Sequence, residues 1–190
     1  VYEATQVLAH ESSPRPPAAE VLAAGIHDVT NVMVENFRLN EVLRMILETI
    51  YRGLGFRRVV FCLRDPRSSA LTGRFGLGEQ VEQVVPLFRI PLHTAEGQQA
   101  DLFSAVCQKG ADTLIADASQ PRIAERLPAW FQGSVHGASF LVLPLMMKGS
   151  TFAMIYADRS EAGSLNLDEK ELSLLRTLRN QAVMAFKQAG

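Results

Sequence analysis

The chain is short of most features that mark catalytic, metal-binding or nucleic-acid-binding proteins. It holds two cysteines, Cys62 and Cys107, and no Cys-x-x-Cys pair, so zinc is not supported. Both cysteines lie in apolar stretches with no histidine nearby in sequence, and they read as small, free core residues of a reducing compartment rather than as nucleophiles. Excess charge of one sign is also missing. Nineteen basic residues stand against 20 acidic ones, a net charge of −1 that leaves no footprint for nucleic acid or for an anionic membrane surface. No apolar run approaches the roughly 20 residues that a membrane helix requires. No signal-peptide layout opens the chain, and a cytoplasmic location is expected.

The phosphate-binding and metal signatures are absent or incomplete. There is no Gly-Lys-Ser/Thr loop, and Gly73, Gly76 and Gly78 are in the wrong order for a dinucleotide fingerprint. A loop with positive φ angles is expected there instead. His27-Asp28 spells a dipeptide found in metal-dependent phosphohydrolases, but the further ligands are missing, so it reads as a solvated helix face.

What the chain does have is apolar content, 47% of 190 residues, enough for one domain with a proper core. Residues 138–158, ASFLVLPLMMKGSTFAMIYAD, read as two strands joined by a tight turn at Lys148-Gly149. Both faces of each strand are apolar, which predicts a central hairpin covered on both sides. Pro144 cannot donate to a ladder, so a local irregularity is expected at that position.

Around this hairpin, residues 1–17 end in SSPRPP and read as a linker or extension, with the domain over 18–190. A long amphipathic helix is predicted to about Asn36. A second follows, capped by Asn40 and ended by Gly53 and Gly55. Strands are predicted over 57–64, 70–75, 88–92 and 113–116, with a short helix over 101–109 closed by Gly110. Residues 117–137, marked by prolines and glycines, form an excursion where a pocket is expected. Asn166 and Glu169 resemble a capping box for the last helix. That helix carries Leu172, Leu174, Leu175, Leu178, Ala182, Val183, Ala185 and Phe186, more apolar surface than one sheet face buries. A second surface, another subunit, is implied. A start at Val1 and a stop in a helical pattern at Gly190 lead us to expect a fragment of a longer protein.

This order of elements resembles a GAF domain. Leu143-Pro144-Leu145 followed by Gly149 is similar to the family's apolar-Pro-Leu strand and turn. Leu114-Ile115-Ala116-Asp117, Tyr156-Ala157-Asp158 and Leu167-Asp168-Glu169 are similar to its other landmarks, over residues 20–187. Residues 39–49, LNEVLRMILET, and 61–65, FCLRD, also resemble the GAF domain found with HDOD domains in bacterial signalling proteins. The resemblance implies an α/β (α+β) fold with a central antiparallel sheet of about six strands. It places the N- and C-terminal helices on one face, used for dimerisation, and a pocket for a small molecule on the other.

By that analogy the ligand-binding residues are Asp117, Arg122, Trp130, Phe131, His136, Tyr156 and His93, with no catalytic or metal residues and no cofactor identified. From the residues alone, each is as well read as packing or rim, and Asp117 as a helix cap. A homodimer through Leu172, Leu175, Leu178, Ala182 and the first helix is expected, linked to an output domain outside this chain. Nucleic acid and membrane are not expected partners. Asp158-Arg159 stands where cyclic-nucleotide-binding members carry Asn-Lys, and residues 110–150 hold no cysteine. Cyclic nucleotides, covalent bilin and methionine sulfoxide reduction are therefore disfavoured. The alternatives are a dimerisation or interaction module without ligand, or, more distantly, an enzyme.

Overall fold

A computed structural model describes residues 16–189. In chain order the elements are α1 (Ala18–Val34), α2 (Leu39–Leu54), β1 (Arg58–Arg64), β2 (Ala70–Gly78), α3 (Val81–Val84) and β3 (Arg89–Pro91). They continue with α4 (Leu102–Lys109), β4 (Thr113–Ile115), α5 (Pro121–Ala124), a π-helical turn (Phe131–Val135), β5 (Ser139–Met147), β6 (Ser150–Arg159) and α6 (Glu169–Ala189). The strands form one six-stranded sheet in the order β3-β2-β1-β6-β5-β4, with antiparallel neighbours throughout. The linker expected over 1–17 lies, up to residue 15, outside the described residues.

The β5–β6 hairpin is central, as its two apolar faces require. Leu141, Leu143, Leu145, Ala153, Ile155 and Ala157 pack with α1, α2 and α6, while Phe140, Val142, Met154 and Tyr156 join the core on the other face. Lys148 (φ 52°) and Gly149 (φ 77°) both take the left-handed region that the tight turn demands. The register slips between Leu145 and Met146, one residue beyond the expected Pro144, and skips Phe152. This bulge turns Phe152 to the helical side, where it meets Phe186 at 5.0 Å between ring centroids. Pro144 itself is tolerated because β4 pairs with β5 only from Phe140 to Val142, leaving no donor required at 144.

Three local expectations are corrected. Asn40 does not cap α2; Arg38 occupies that position, with no side-chain cap bond, and α2 ends on left-handed Gly55 while Gly53 stays helical. The capping box of α6 is Asp168 with Glu171, whose side chains each accept from the other's backbone N–H at 2.7 and 3.0 Å, rather than Asn166 with Glu169. Gly73 and Gly76 lie inside β2 rather than in a loop, and of the three glycines Gly78 alone has positive φ (107°). A Cβ at Gly73 would collide with the Val85 carbonyl, so close backbone approach, not φ, explains that glycine.

Leu175, Leu178 and Ala182 are fully buried within this one chain, against the expectation that a partner covers them. The two-sided apolar pattern of α6 arises because the helix lies between the sheet and α1, so both surfaces are intramolecular. Leu172, Leu174, Val183 and Phe186 are half-buried, and the large apolar side chains left exposed among the described residues are Met184 on α6, at 50%, and Val34 on α1, at 78%.

Candidate functional site

Beyond β4 the chain turns through Asp117-Ala118-Ser119, and a pocket of ≈ 520 Å³ opens between this turn, α5 and the π-helical turn. Leu127, Phe131, Ala118 and Ala124 give it an apolar lining, while Asp117, Ser119, Gln132 and His136 supply polar groups. Asp117 Oδ1 accepts from the Ser119 hydroxyl at 2.6 Å and its backbone N–H at 2.9 Å, which holds the exposed carboxyl below its usual range. Gln132 Nε2 donates to the Ala124 carbonyl at 2.6 Å, tying α5 to the π-helical turn. That turn closes with the His136 N–H donating to the Phe131 carbonyl at 2.8 Å, and His136 sits in the left-handed region at φ 50°. One pocket wall therefore combines two sparsely populated backbone conformations.

Directly behind this wall lies an ionic cluster in which Arg58 and Asp158 are buried and Arg57 is half-buried. The Val135 carbonyl accepts from Arg57 Nη2 at 3.2 Å and from Arg58 Nη2. Both guanidiniums also reach Asp158, Arg57 through Nε and Nη2 at 3.1 Å each and Arg58 through Nη2 at 3.0 Å. The Tyr156 hydroxyl donates to Asp158 Oδ2 at 2.6 Å. Burial, followed by the charge of Asp158, pushes the Tyr156 hydroxyl's pKa well above its ordinary value. Gly137 lines the pocket and covers this cluster; a Cβ there would press on the Tyr156 hydroxyl and on Asp158.

Of the seven residues expected at the site, Asp117, Phe131 and His136 line the pocket together. The other four do not. Tyr156 is sealed in the core, and Trp130 packs against Phe88 and Phe103 at 4.8 and 5.5 Å between centroids. Phe88, Phe103, Phe131, Phe140 and Tyr156 fill the sheet face on which the cavity is expected, and the pocket lies beside this cluster. Arg122 is exposed on α5 and outside the lining. His93 lies in a separate pocket with Arg64, Gln108 and Ser150, at the turn end of the hairpin. Ser150 is eight residues from Asp158, about 26 Å along β6 at a strand rise of roughly 3.3 Å per residue. The sequence reading missed Ser119, Gln132 and Gly137 in the lining and the Arg57–Arg58–Asp158 cluster behind it. Two arginines at the start of one apolar stretch and an aspartate at the end of another were the signal available.

The cysteines are both buried. Burial, then the charge of Asp101, pushes the Cys107 thiol up to about 12, and burial, then Cys107, pushes Cys62 well above its usual value. Among the described residues no group of three or more His, Cys, Asp or Glu is placed to hold a metal ion. No helix among them is long and apolar enough to cross a membrane.

The family model described as "GAF domain" matches residues 38–186. Among solved structures, the chain is similar to the GAF domain of an Acinetobacter phosphoenolpyruvate-protein phosphotransferase, at 19% identity and TM-score 0.68, over 90% of this chain and 92% of that one. It is also similar to the free methionine-R-sulfoxide reductase of Neisseria meningitidis, at 20% identity and TM-score 0.64, over 93% and 96%. A third relative in shape is a GAF domain/HD domain protein from Geobacter sulfurreducens, at 12% identity and TM-score 0.61, over 79% and 92%. At these identities the likeness concerns the fold. The comparison with curated proteins gives no match.

Proposed function

The chain belongs to the GAF domain family, generally regulatory or sensory domains of signalling proteins, and from that premise we propose that it is a non-catalytic cytoplasmic sensor of a small molecule. The ligand occupies the pocket between Asp117, Phe131 and His136, and its presence is passed through a homodimer to an attached output domain, of which the HDOD type is one candidate. The observation carrying this reading is a pocket with an apolar lining and a polar rim, one wall of which is held in π-helical and left-handed backbone. A wall of that kind has an alternative packing within reach, which is what a ligand must favour to act as a signal.

A second reading, an interaction or dimerisation module without ligand, is favoured by the aromatic cluster filling the sheet face. A metabolite library screened by thermal shift separates the two. The sensor reading expects a compound that raises Tm in the natural sequence and not in Ala162→Trp, which places an indole at the pocket rim. A compound acting equally on both proteins argues against this pocket.

A further inference from the structure

Asp158 and Arg159 are consecutive residues of β6, so their side chains leave opposite faces of the sheet. Asp158 faces the pocket side and holds Arg57 and Arg58, which in turn hold the Val135 carbonyl at the end of the π-helical turn. Arg159 faces the helical side. Its Nη2 donates to the carbonyl of Leu54, the last residue of α2, its Nη1 to the Ser164 carbonyl at 2.6 Å, and its guanidinium lies 5.8 Å from the Phe56 ring centre. The backbone closes the same loop, with the Arg57 N–H donating to the Asp158 carbonyl at 2.9 Å and the Ala138 N–H to the Arg159 carbonyl at 3.1 Å.

Resting on the reading of this pocket as the sensing site, we infer that the Asp158-Arg159 dipeptide is the joint that couples the pocket wall to the C-terminal end of α2. A shift of the Val135 carbonyl must be followed by Arg58 or leave it short of an acceptor, because Arg58 is only 2% exposed and no water replaces the lost bond cheaply. Arg58 Nε and Arg159 Nε are already buried without protein partners, so the network has unused donors with which to form a second arrangement. Asp158 moves with the arginines, Arg159 moves with Asp158 through their shared peptide, and the last carbonyl of α2 is held by Arg159. Since α2 packs against α1 and α6, its end is where the helical layer receives the change. Contiguous bonded groups join the two sites, and coupling between them requires that this network have two arrangements which both ends bias.

The test needs no ligand. Ala162→Trp crowds the pocket, and Gln132→Ala releases the bond between α5 and the π-helical turn. Hydrogen exchange is then followed for residues 48–57, at the end of α2, in each variant with Arg159 intact or replaced by Met or Lys. The expected result is a change in α2 exchange of about fivefold or more in at least one pocket variant. Arg159→Met abolishes this change and Arg159→Lys partly restores it. If neither pocket variant alters residues 48–57, or if Arg159→Met leaves the response intact, the inference is overturned. A failure here leaves the pocket as a ligand site untouched, whereas a failed ligand screen leaves this coupling standing.

Discussion

Arg58 and Asp158 face each other directly across β1 and β6, with Nη2 3.0 Å from Oδ2 and both side chains sealed from solvent. Replacing Asp158 by Ala leaves Arg57 and Arg58 without their carboxylate, and breaking a buried pair in this way costs about 3–5 kcal/mol. Urea denaturation should register that loss. Arg58→Met should be milder, because Asp158 keeps Arg57 and the Tyr156 hydroxyl.

The alkaline limb of stability should be steep. Cys62, Cys107 and Tyr156 all have folded-state values raised by burial, so each binds its proton more tightly folded than unfolded. Their contribution is full below the unfolded value, 9.0 for a cysteine, and is lost as pH rises toward the folded one, about 12 for Cys107. Denaturation followed from pH 8 to 11 should show stability falling above about pH 9, with a shallower slope in Cys107→Ala.

The glycines of β2 and of the hairpin turn should respond differently to alanine. Gly73→Ala drives a methyl into the Val85 carbonyl and should cost at least about 2 kcal/mol. Gly149→Ala meets nothing within 4 Å and carries only the left-handed penalty, about 1 kcal/mol. Thermal melts of the two variants measure the difference.

If the outer helical face forms the proposed dimer, Val34→Glu and Met184→Glu should shift sedimentation toward monomer without lowering monomer stability, since both side chains are exposed. Leu178→Ala, deep in the core, should instead cost about 2–5 kcal/mol.

The fold was readable because its strongest signal is local: Phe140 to Leu145 and Ala153 to Ala157 are apolar on both faces, which only a central hairpin accommodates. The caps differ from expectation because several polar residues stand near each helix start: Asp168, not Asn166, reaches a free N–H of α6, and at α2 no side chain does. The site was half legible. Asp117, Phe131 and His136 fall on the excursion that makes the pocket, whereas Trp130 and Tyr156, which the resemblance offers as ligand contacts and the residues alone equally as packing, have rings that complete a core. Arg57 and Arg58 meet Asp158 across sequence separations of 101 and 100 residues, and their convergence depends on the β1–β6 register.

The most direct measurement of the central claim is a pair of native mass spectra, of the gently purified natural sequence and of Ala162→Trp. The sensor account predicts a dimer carrying a discrete additional mass in the first, lost on denaturation and missing from the second. Spectra of both proteins at the bare chain mass contradict it and leave the interaction module.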